Sequence, residues 1–105
     1  HVNDMAEASL FVLDLPVEHY QANTEPMLSH INVGYGDDVT ISELAHIVAQ
    51  VTGFKGEIVF DPSKPDGTLR KLMDSSRLTA MGWKPTIPLV QGVEETYKWF
   101  LANAV

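Results

Sequence analysis

Cysteine is absent from the 105 residues. Its absence excludes disulfide scaffolds, thiolate metal sites and cysteine nucleophiles. Positive charge is absent from the first half of the chain. No Lys or Arg precedes Lys55, whereas Asp4, Glu7, Asp14, Glu18, Glu25, Asp37, Asp38 and Glu43 all do. No apolar run approaches the roughly 18 residues that cross a bilayer, so no membrane partner is expected. No secretory signal is present either, and the expected location is cytoplasmic.

What is present is ordinary globular composition. Hydrophobic residues make up 45% and charged residues 20%, which argues against wholesale disorder. The net charge is −7, the wrong sign for a nucleic-acid partner, which needs a basic stripe to neutralise phosphates. Every cation lies from Lys55 onward, where seven bases face six acids. The length suits one small domain, read here as residues 1–105 in a single unit. The chain opens on His1 with a helical pattern almost at once, as expected of a piece of something longer.

Apolar spacing predicts four helices. The first runs from Val2 to Leu15, with Asn3 as its N-cap, Asp4 and Glu7 favoured by the helix dipole, and Pro16 as its stop. His19 to Ser29 is polar without clear periodicity and reads as a loop. Thr40-Ile41-Ser42-Glu43 is a capping box, followed by Ile41, Leu44, Ala45, Val48 and Val51 at helical spacing and Gly53 as terminator. Ser75 or Ser76 opens a short helix to Met81, and Pro88 opens a last one to about Asn103. His30–Val33 and Glu57–Phe60 read as short strands, with Lys71–Met73 as a further extended segment. The fold class expected is therefore α/β, with about four helices and two or three strands, too few for a sheet covered on both faces.

Most chemistry-bearing residues have ordinary explanations. His1, His19, His30 and His46 form no metal-ligand pair, and no Ser has a nucleophile-elbow context. No catalytic or metal residue is assigned. Gly34-Tyr35-Gly36 echoes a dinucleotide loop, but lacks the third glycine and is followed by Asp37-Asp38, which would repel a pyrophosphate. Asp37-Asp38 reads better as a polar turn than as a cation site. The segment Lys64-Pro65-Asp66-Gly67-Thr68-Leu69-Arg70-Lys71 concentrates cations around one carboxylate, with Arg77 a little further on. Pro65 and Asp66-Gly67 suggest a rigid turn there. Such cations can hold a diphosphate, and the carboxylate can accept from ribose hydroxyls or a base N–H. A solvated surface loop is the competing explanation.

Taken in order, several fragments resemble one family. His1-Val2-Asn3-Asp4-Met5-Ala6, Ile31-Asn32-Val33-Gly34 and Thr40 to Ala45 are similar to consecutive segments of extended short-chain dehydrogenase/reductases acting on sugar nucleotides. Asp74, Leu78, Gly82-Trp83, Pro85 and the Glu94 to Phe100 stretch resemble that family's ending. Pro26 to Gly34 and Phe60 to Thr68 are closest to the branch of GDP-4-keto-6-deoxy-D-mannose 3,5-epimerase/4-reductases, which form GDP-L-fucose. UDP- and dTDP-sugar relatives usually differ in the Lys64–Lys71 segment. Leu69 departs from a common Pro, and Asn3 from the more usual Asp.

The resemblance implies a C-terminal substrate-binding domain whose Rossmann domain is absent from this chain. Asp66 and Lys71 would contact the GDP part of the substrate, with Arg70 and Lys64 as further contacts. NADP(H) would be bound by the missing N-terminal domain, which would also supply the catalytic residues, so this chain alone would be inactive. The parent is expected to be a homodimer. The piece alone is expected to self-associate through apolar surface, mainly on the first helix. A part of a UDP- or dTDP-sugar enzyme and a free-standing interaction module are the alternatives.

Overall fold

The computed structural model describes residues 1–104. It contains five helices: α1 (Val2–Asp14), α2 (Val17–Ala22), α3 (Ile41–Thr52), α4 (Ser76–Ala80) and α5 (Leu89–Asn103). The chain forms two compact units. The first combines His1–Asp37 with Leu72–Pro88, and the second combines Asp38–Lys71 with the chain from Leu89 onward. Each unit is built from segments distant in sequence.

In the first unit, α1 is capped by His1, whose Nδ1 accepts from the Asn3 N–H at 3.3 Å. Asn3 therefore lies inside the helix and does not cap it. Ala8 on α1 is buried, as are Leu78 and Met81 at α4. Pro16 stops α1 but also occupies the N-cap position of α2, which was expected to be loop. The polar residues that suggested a loop instead close this helix. Asn23 Nδ2 donates to the His19 carbonyl at 2.9 Å, and Thr24 Oγ1 to the Tyr20 carbonyl at 2.8 Å. These side chains satisfy carbonyls that the helix end leaves open.

α4 begins after Ser75, but neither serine caps it through its side chain. Asp74 Oδ1 accepts from the Ser76 N–H at 2.9 Å instead. Gly82, at φ 110°, follows α4, and Trp83 donates its N–H back to the Leu78 carbonyl at 3.3 Å. In the second unit, the capping box is present in full. Glu43 Oε2 accepts from the Thr40 N–H at 2.7 Å, and the Glu43 N–H donates to Thr40 Oγ1 at 3.1 Å. Gly53, at φ 71°, ends α3, with Phe54 donating to the Ala49 carbonyl at 2.9 Å. α3 packs against α5.

The α/β expectation is corrected by the strands. Among the described residues there is no strand, only an isolated antiparallel bridge between Glu25 and Leu28. A strand needs a backbone ladder with a neighbour. Residues 30–34 run beside 73–75, but the link is made by side chains. Asn32 Nδ2 donates to the Asp74 carbonyl at 3.1 Å, and Gly34 lies against Ser75 and Met73. Arg77 Nη1 donates to the carbonyls of Leu28 and His30 at 2.8 and 2.7 Å. One guanidinium on α4 thus occupies acceptors that a neighbouring strand would otherwise take.

Candidate functional site

The 61–71 segment of the second unit holds all four expected site residues. It begins with a turn built by Asp61, whose Oδ1 accepts from the Ser63 N–H at 2.9 Å and the Ser63 hydroxyl at 2.6 Å. These bonds from Ser63 hold the Asp61 carboxyl below its ordinary pKa of 3.8. The Lys64 N–H closes the turn on the Asp61 carbonyl at 3.3 Å. The turn therefore lies three residues earlier than expected, at residues 62–64. No turn is formed at residues 65–68.

Lys64, Asp66, Arg70 and Lys71 are all exposed. Arg70 has a specific partner. Its Nε donates to Asp38 Oδ2 at 2.6 Å and its Nη2 to Asp38 Oδ1 at 3.1 Å, a two-pronged contact spanning 32 positions. The Arg70 hydrogen bond holds the Asp38 carboxyl below its ordinary 3.8. Asp38 stands two residues before Thr40, so the far end of the segment is tied to the start of a capped helix. Sequence reading took Asp38 as part of a plain polar turn. Nothing in local spacing connects it to Arg70.

Asp4 was also placed differently. It was expected to face a helix dipole, but it is 4% exposed within the first unit. Its Oδ1 accepts from the Thr86 N–H and hydroxyl at 3.1 and 3.0 Å, and its Oδ2 from the Ile87 N–H at 3.0 Å. Burial pushes this carboxyl up, but the Ile87 and Thr86 donors outweigh it and the net shift is downward. Arg77, counted among the nearby cations, instead serves the 28–30 backbone.

His46 Nδ1 is paired with the Ser42 carbonyl at 2.7 Å, within α3. Among the described residues no three His, Asp or Glu side chains form a metal cluster. No described helix is long and apolar enough to cross a membrane. The Gly34-Tyr35-Gly36 stretch makes a poor phosphate cradle. A Cβ built on Gly34 would stand 2.9 Å from Ser75 Oγ, so this glycine is used for packing.

No protein-family model matches the chain. Among curated proteins, GDP-L-fucose synthase of Escherichia coli (strain K12) is 57% identical over 103 residues, which is 98% of this chain and 32% of that protein. The chain thus spans about a third of the length of this relative. Among solved structures, a GDP-6-OMe-4-keto-L-xylo-heptose reductase from Campylobacter jejuni matches with a TM-score of 0.84 and 34% identity, covering 97% of this chain and 30% of that one. A GDP-D-glycero-L-gluco-heptose synthase from the same species, solved in the presence of NADPH, matches at 0.81 and 31% identity, covering 96% of this chain and 28% of that one. Sequence and fold agree over nearly every residue: the chain is similar throughout its length to one part of enzymes named for GDP-L-fucose synthesis and GDP-sugar reduction.

Proposed function

We propose that this chain is the substrate-binding part of an enzyme that converts GDP-4-keto-6-deoxy-D-mannose to GDP-L-fucose. The observation that carries this reading is the 57% identity to a GDP-L-fucose synthase across 98% of the chain. The structural relatives named for GDP-sugar reduction and synthesis support the same nucleotide.

The residues fit a binding role. Lys64 and Lys71 are exposed cations on either side of Asp66 on one segment. Ammonium groups suit a diphosphate, and a carboxylate suits ribose hydroxyls or the N–H edge of guanine. The parent would epimerise the sugar at C3 and C5 and reduce its C4 ketone. NADPH would supply the hydride. Nothing in Gly34-Tyr35-Gly36 fits that cofactor, since Asp37 and Asp38 follow and Gly34 is closed against Ser75. The cofactor and the proton-transfer groups would therefore belong to the rest of a parent acting in the cytoplasm.

Titration of GDP, UDP and dTDP into the parent enzyme tests this. GDP should bind at least about ten-fold more tightly than the other two. Equal affinity for UDP or dTDP would instead favour a sibling enzyme. Binding of none of them would favour an interaction module without chemistry.

A further inference from the structure

The 61–71 segment has an internal turn at its start and an outside anchor near its end. At its start, Asp61 holds Ser63 through two hydrogen bonds. At its finish, Arg70 grips Asp38 through two more. Lys64 and Asp66 lie between the turn and this anchor, and Lys71 is joined directly to Arg70. Asp38 stands two residues before Thr40, which is tied to Glu43 through both backbone and side chain.

An exposed ion pair normally contributes little, because two long side chains lose freedom to form it. A two-pronged arginine–carboxylate contact is the favourable case, since the planar fork matches the carboxylate geometry. Here the gain is also one of placement. A binding group contributes most when its support holds it in the productive position before the ligand arrives.

We propose that Asp38 is a positioning residue for the ligand-binding segment: by holding Arg70 it fixes the end of that segment against the start of α3 and so sets where Lys71 stands. This rests on the GDP-sugar reading of the segment. It also reassigns Arg70. The guanidinium is committed to Asp38 and acts on the ligand through the backbone it anchors, leaving Lys64 and Lys71 as the phosphate-facing cations.

The test uses the full-length parent enzyme with Asp38→Asn, Arg70→Gln, the double variant and Asp38→Glu. Each of the first two should raise KM for the GDP-sugar about three- to five-fold, with a smaller effect on kcat. The double variant should be no worse than the worse single variant, because both break one contact. Asp38→Glu should recover part of the loss. Limited trypsin digestion of Asp38→Asn should cleave faster after Arg70 and Lys71. Additive losses in the double variant would overturn the proposal, since Arg70 would then act independently of Asp38. An unchanged KM or an unchanged cleavage rate in Asp38→Asn would overturn it as well. If the wild-type enzyme preferred a UDP or dTDP sugar, the functional reading would fall, while digestion would still decide whether the contact orders the segment.

Discussion

Asp4 brings a carboxylate into the first unit and meets three donors there. Replacing it with Ala would leave the Thr86 and Ile87 N–H groups without their acceptor, and a buried donor without a partner is costly. Asp4→Ala should lower the melting temperature by several degrees, whereas Glu7→Ala on exposed α1 surface should leave it almost unchanged. Asp4, Glu43 and Asp74 also share a downward pKa shift. The first is set by the Ile87 and Thr86 donors against burial, the second by Thr40 and the third by Ser76. Such groups bind protons more weakly folded than unfolded. Their stabilisation is complete above the ordinary values of 3.8 and 4.5 and is lost as pH falls through the lower folded values. Melting temperatures should therefore drop on acidification below about pH 4, with a shallower drop in Asp4→Asn. An acid limb unaltered by that substitution would show that Asp4 carries none of this dependence. The sequence announced an acid near a helix start, but its partners lie 82 and 83 positions away. No local pattern encodes such a distance.

The most legible element was α3, because its signals are local. Thr40, Glu43 and Gly53 act within four residues of the groups they satisfy. Thr40→Ala should cost about 1 kcal/mol by removing the cap. Gly53→Ala should cost about 1 kcal/mol because φ 71° is strained for an L side chain, even though space around it is open. Denaturant titration of each variant checks both values, and a loss near zero would mean that packing on α5 alone holds the helix. The two strands were misread for the opposite reason. His30–Val33 and Glu57–Phe60 are short runs rich in apolar residues, but strand identity depends on a partner. Asn32 reaches its neighbour by a side chain, so the two stretches meet without a ladder. α2 was missed because Asn23 and Thr24 look like loop residues until their side chains are seen to close a helix end. The candidate segment stands out in the sequence because its cations cluster there, whereas the Arg70–Asp38 contact is visible only in the fold.

Across the chain, many large apolar side chains face outward. On α1 these include Leu10 at 62% and Leu13 at 79% exposure, alongside Val2 and Met5. Scattered exposed apolar residues are normal, but a row on one helix marks a surface that associates. The 105 residues alone should associate as concentration rises, and Leu10→Ser with Leu13→Ser should shift sedimentation toward the monomer. A single species at all concentrations before mutation would show that this row does not drive association. Arg77 has a further consequence. α4 has five residues, too few to persist alone, since helix formation needs a longer run to repay nucleation. Its guanidinium also secures carbonyls 47 and 49 positions upstream. The helix and the 28–30 backbone therefore form one cooperative opening unit. When α4 frays, the 28–30 backbone is released in the same event, so the amides of both stretches should exchange with solvent deuterium at a common rate.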